Sequence, residues 1–199
     1  MTFQSTQNFV KELHSQIMSK RYNTKEERDN EYNEYVIFFQ EYKEKYFPIL
    51  RPIFEKFVER INLFLHSKGQ THINIELNAI EMDYASVSIL AISRTDYVNI
   101  FEIEDINEIG ICRFEHEFIK HLIDLDVNEL IKSVNDELEF AFQSSNINFK
   151  CKQSENEIDL VEVAYTTKKM LLITLDIHIN NEIILFFLNF PTEISKILK

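Results

Sequence analysis

An α+β fold is what this sequence predicts: N-terminal helices, then largely antiparallel β-meanders with helices packed on one face. Three observations predict it. Apolar residues recur at helical spacing as far as Gly69, they alternate with a period of two beyond it, and one long helical pattern near residues 126–142 interrupts the alternation. Runs of strands that follow one another in sequence favour antiparallel pairing, and the amphipathic helices between them must cover a sheet face.

The first helical pattern is carried by Phe9, Val10, Leu13 and Ile17. Thr24 and Glu27 have the spacing of a capping box, so a second helix is expected there, with Tyr32, Tyr35, Val36, Phe39, Tyr42 and Tyr46 as its apolar stripe. Proline is tolerated in a first helical turn and disrupts an interior, so Pro48 and Pro52 predict a fresh start. The third helix then carries Ile53, Phe54, Phe57, Val58, Ile61, Phe64 and Leu65 and stops at Gly69.

Beyond Gly69, Ile73, Ile75, Leu77 and Ala79 alternate with polar residues, as in a strand with one wet face. Further strands are expected at Val87–Ala91, Val98–Ile103 and Cys112–Phe118. In the last of these, Arg113, Glu115 and Glu117 would share the face opposite Phe114 and His116. Asp126 and Glu129 form another capping box, ahead of a helix with Val127, Leu130, Ile131, Val134, Leu138, Ala141 and Phe142 on one side.

Alternation resumes at Ile147, Phe149 and Cys151, at Val161, Val163 and Tyr165, and from Leu171 to Ile179. Asn180 and Asn181 occupy the place of a tight hairpin turn before Ile183–Leu188, a run apolar at every position. Such a strand is buried on both faces or covered by a partner. Pro191 and Thr192 open a short closing helix.

The pattern divides the chain into a helical hairpin, residues 1–47, and an α+β domain, residues 48–199. Within the latter, residues 48–119 and 126–199 read as two α-ββββ units. Laying one on the other puts Phe54 on Leu130, Val58 on Val134, Ile73 on Phe149 and Ile75 on Cys151, matches of polarity rather than identity.

Composition excludes several chemistries. With only two glycines, Gly69 and Gly110, the chain has no phosphate-cradling loop, dinucleotide fingerprint or G-x-S-x-G elbow. Asparagine must supply the left-handed turns instead. Cys112 and Cys151 lack metal or redox spacing and read as buried thiols. His116 and His121 are five apart, not the four of a zinc-protease helix, and Ile103 and Ile106 interrupt the carboxylates around Glu104 and Asp105. No catalytic residue, metal site or cofactor is therefore expected from local pattern. The N-terminus has no secretion-type apolar core and no run approaches a membrane span, which together predict a cytoplasmic protein.

The net charge of −12 disfavours nucleic acid, even though tyrosines line one helix. Its distribution is the positive functional signal. Residues 101–140 hold twelve acids against Arg113, Lys120 and Lys132, and so carry nine of the net negative charges. This predicts a non-enzymatic binding protein that sequesters or neutralises a basic protein partner, in the manner of an inhibitor, immunity protein, antitoxin or secretion chaperone. Glu115, Glu117, Glu129 and Asp136 are the expected partner-binding carboxylates. Two other readings compete: a small-ligand-binding domain with an apolar pocket between helix and sheet, and an enzyme with dispersed active-site residues. The apolar stretch Ile183–Phe190 further predicts self-association into a homo-oligomer.

Overall fold

The computed structural model describes residues 25–84, 97–153 and 169–198. The first expected helix, with Phe9 to Ile17, and the expected strands at 87–91 and 161–165 lie outside the described residues. The chain divides into two compact units, residues 1–45 and 46–199. In the first unit the described part is helical, with the Tyr35 and Phe39 rings stacked at 6.3 Å and Phe38 against Tyr42 at 5.8 Å.

Helix α1 runs without a break from Lys25 to Ser67, correcting the expectation of a restart at Pro48. Pro48 and Pro52 are one turn apart and both exposed, as is Glu44, so the prolines lie on the solvent side of the helix. Two interior prolines cost about 3 kcal/mol each. Opposing them, Leu50, Ile53, Phe54, Phe57, Val58, Ile61 and Leu65 are all buried, and each such side chain returns about 1.5–3 kcal/mol. Tertiary burial outweighs local propensity.

The second unit is a six-stranded sheet with helices on one face. Its described strands are β1 (Ile73–Tyr84), β2 (Tyr97–Ile103), β3 (Glu108–Phe114), β4 (Cys151–Gln153), β5 (Lys169–Ile179) and β6 (Glu182–Pro191). They lie in the order β1-β5-β6-β3-β2-β4, antiparallel at each pairing. Among the described strands, only the hairpins β2–β3 and β5–β6 join strands that are consecutive in sequence. The strands that follow the two long helices, β1 and β4, form opposite edges, while β3 and β6 meet in the middle. Helices α2 (His116–Lys120) and α3 (Val127–Ser144) complete the regular structure with two short 3₁₀ turns.

Three strands differ from the alternation in the sequence, and β4, expected from Ile147, begins only at Cys151. Leu77 opposes Leu175 and Ile80 opposes Ile173, so a bulge at Asn78 shifts the phase of β1 by one residue. Ile80 and Met82 therefore turn to the buried face, and Ala79, expected there, pairs with Thr174 on the other. The strand expected to reach Phe118 ends at Phe114 and gives way to α2. Phe114 and Phe118 are four apart, a spacing that satisfies a strand face and a helix face equally, and their rings meet at 5.6 Å.

The expected left-handed asparagines are present. Asn107, Asn146 and Asn180 have positive φ, and Asn180 makes the β5–β6 turn. The side chain of Asp126 accepts from the backbone N–H groups of Asn128 and Glu129, capping α3. Under α1 and α3 the core is aromatic, built on Phe54, Phe57, Phe101, Phe142, Phe149, Phe186 and Phe190. In β6 the inward Ile184, Phe186 and Leu188 are buried, but Ile183 is exposed and Leu185 and Phe187 are half-covered. Burial on both faces, expected of that strand, is thus incomplete.

Helix side chains bond one residue on each outer strand of the described sheet. Asn62 of α1 accepts from the Ile75 N–H and donates to the Ile75 carbonyl, both at 2.8 Å, taking the place of a neighbouring strand. On the opposite edge Glu139 of α3 accepts from the Cys151 N–H at 2.7 Å. Asn62→Ala should lower the urea midpoint at unchanged slope by an amount equivalent to about 1–3 kcal/mol. Asn62→Asp keeps the acceptor and loses the donor, so it should fall between wild type and alanine. Equal midpoints for all three would show that water replaces the amide.

Candidate partner-binding surface

The four carboxylates expected to face a partner occupy two elements. Glu115 is the residue before α2 and half-buried, without a side-chain cap bond. Glu117, in the first turn of α2, is exposed and pairs with Lys120 at 2.6 Å, and that hydrogen bond holds its carboxyl below the ordinary range. With β3 ending at Phe114, the two do not share a strand face. Glu129 and Asp136 are both exposed on α3, seven positions and about two turns apart, so they share one side of the helix. Glu129 pairs with Lys68, just beyond α1. Asp136 and Glu115 carry no ion pair among the described residues.

Much of the acidity of residues 101–140 is used inside the molecule. Glu137, mostly covered, receives Nε and Nη2 of Arg60 at 2.7 and 3.3 Å, and this raises the guanidinium pKa. The Arg60 guanidinium also lies 4.4 Å from the Phe140 ring centre, so one side chain joins α1 to α3 by charge and by stacking. Asp105 accepts from Asn148 Nδ2 at 2.5 Å and from the Lys150 N–H at 2.9 Å, anchoring the strand before its pairing with β2. Asp126 caps α3 and Glu139 closes β4. These carboxylates are structural, a role that charge counting does not reveal.

His116 is exposed and stacks on Tyr97 at 6.2 Å, so, contrary to the strand pattern, it does not share a face with the buried Phe114. The onset of α2 turns it outward. Among the described residues no group of three or more His, Cys, Asp or Glu side chains is placed to hold a metal ion. Burial pushes the Cys112 thiol far up, and burial with Glu139, Asp136 and Glu104 nearby does the same to Cys151. Neither sulfur ionises near neutral pH, so neither is an activated nucleophile. No described helix is long and apolar enough to cross a membrane.

One end of the second unit was not marked by pattern. Gln70, 1% exposed, accepts from the Ile123 N–H at 3.0 Å and donates to its carbonyl at 2.5 Å. The His72 ring donates to the His121 carbonyl at 3.2 Å, and the His121 ring lies 3.8 Å from Glu182. The Gln70 and His72 contacts tie the corner after α1 to the α2–α3 connection. The one available signal was Gln70 itself, an uncharged polar residue between a helix stop and a strand.

No family model matches this sequence, and no curated protein matches it. Solved structures do. The FliM middle domain (51–229) from Vibrio alginolyticus superposes with a TM-score of 0.63 at 12% identity, over 74% of this chain and 95% of that one. The chain has the fold of a FliM middle domain. A FliM–SpeE complex from H. pylori matches at TM-score 0.62 and 14% identity, covering 76% of this chain and 91% of that one. A FliG–FliM complex from the same organism matches at 0.62 and 14%, covering 75% and 94%.

Proposed function

We propose that this chain is a non-enzymatic docking domain that binds a basic protein partner through the acidic surface centred on α3. The observation that carries the reading is the exposed side of α3, where Glu129 and Asp136 stand two turns apart on a rigid helix. Glu115 and Glu117, just upstream, belong to the same proposed surface. Support comes from the solved FliM domains of this fold that were crystallised with protein partners, FliG and SpeE. Sequestering or neutralising that partner is the proposed consequence of binding. The proposal takes residues 1–47 as a helical hairpin, and residues 48–119 and 126–199 as related halves. For the latter, β1 and β4 hold equivalent edge positions and Asn62 and Glu139 make equivalent closures.

Copurification from the native host supplies the partner for the decisive experiment. Changing Glu115, Glu117, Glu129 and Asp136 together to lysine breaks two exposed ion pairs, with Lys120 and Lys68, which solvent screens to little net stability. The fold should survive. Association at low salt should slow by about tenfold or more, and its dependence on ionic strength should flatten. An association rate equal to wild type at low salt would leave the acidity as a solubility device.

A further inference from the structure

We infer that Phe140 is the anchor of the α3 surface and that its occupant is a long basic side chain of the partner. The aliphatic stem packs on the ring and the charged head reaches Asp136. This rests on the docking reading above and names the side chain that receives the partner. Phe140 is 43% exposed and is the only exposed large apolar side chain of α3. Four residues earlier, on the same side of the helix, stands Asp136, which is exposed and has no ion pair among the described residues. Glu129, Lys132 and Gln143 complete that exposed side.

Half of this arrangement is already filled from within the molecule. Side chains of a helix lean toward its N-terminus, so the Phe140 ring lies over the turn that carries both Asp136 and Glu137. Glu137 holds Arg60 through Nε at 2.7 Å and Nη2 at 3.3 Å, and that guanidinium lies over the ring, 4.4 Å from its centre. A cation on the ring with a carboxylate one turn away is therefore what this site accommodates. At Asp136 the carboxylate is present without its cation. Arg60 also restrains the ring, so little side-chain freedom remains to be lost on binding. Lysine or arginine suits both features at once, because its methylenes cover apolar surface while its head stays with a charge. An aliphatic side chain leaves Asp136 unanswered, and an acidic one is repelled by it.

The full chain is titrated at low salt with two glycine–serine peptides of equal length and charge. One carries several lysines, and the other carries the same number of diaminobutyrates, which keep the ammonium but shorten the stem by two methylenes. Wild type should bind the lysine peptide about fivefold more tightly, since each buried methylene is worth up to about fourfold. Phe140→Ala, whose fold should survive the loss of a half-exposed ring, should lose that preference. Asp136→Asn should weaken both peptides. Combined with Phe140→Ala, it should weaken the lysine peptide by less than the product of the two single effects, because one side chain touches both residues. Ile183→Ser is the control: it removes an exposed apolar side chain from the sheet face away from the buried Ile184 and Phe186, and should change nothing. Equal affinity of wild type for the two peptides overturns the anchor, and so does a preference that survives in folded Phe140→Ala. If that preference survives while Glu129→Lys with Asp136→Lys loses both peptides, docking through α3 stands and the anchor falls. Wild-type binding of both peptides by the double lysine variant overturns docking through α3 and the anchor with it.

Discussion

Truncating Phe190 to alanine is expected to cost about 3–5 kcal/mol of stability, the range for removing a fully buried phenylalanine. Phe190 is completely buried near the end of β6, and its ring lies 5.4 Å from Phe54, 5.5 Å from Phe101 and 6.3 Å from both Phe142 and Phe149. Those four rings come from α1, β2, α3 and the segment before β4, so one side chain touches most of the layers of the second unit. The cavity left by alanine would be lined by rings on rigid elements that cannot collapse into it. Chemical denaturation should show the full loss, and thermal melting should fall by roughly 10 °C, at about 2–4 °C per kcal/mol for a chain of this size. Phe140→Ala is the control. Its ring is 43% exposed beneath Arg60, and losing that contact should cost no more than about 1 kcal/mol. Similar losses for the two variants would mean that the aromatic cluster repacks freely.

Gly110→Ala should also be severe, for the opposite reason. A β-carbon at that position would stand 2.2 Å from Cζ and 2.4 Å from Cε2 of Phe101, the residue paired with it across β2 and β3. The Phe101 ring is fully buried and backed by Phe190, so it has no space to withdraw. Overpacking of this kind costs about 1–3 kcal/mol. A smaller side chain opposite should relieve it. Gly110→Ala combined with Phe101→Leu should be less destabilised than the sum of the two single changes, by about 0.5–3 kcal/mol of coupling. Strict additivity in that cycle would show that the ring is not what excludes a side chain from residue 110.

Several features were legible in the residues because they depend on neighbours in sequence. Asp126 sits at the N-terminus of α3 because its short carboxylate reaches the free amides of the next turn. Asn180 turns the hairpin because asparagine tolerates positive φ. Other features were hidden wherever one pattern served two geometries. Phe114 and Phe118 fit a strand and a helix equally, and Ala79 continued an alternation that the Asn78 bulge had already broken. The prolines of α1 misled because the burial that outweighs them comes from a distant sheet. On the surface, acidity was visible but its use was not. Glu137 is taken by Arg60 and Glu139 by the Cys151 amide, contacts between residues far apart in sequence.

The sequence by itself determined the class of fold, the helical cap of α3, the hairpin turn and the acidity of the second half, since each follows from composition or short-range periodicity. Only the tertiary structure decided the interleaved strand order, which carboxylates remain for a partner and which close the molecule, and the rigid presentation of Ile123 by Gln70. Those depend on which distant backbone groups need partners once the chain has closed, and a hydrogen bond between residues 70 and 123 leaves no periodic mark on either.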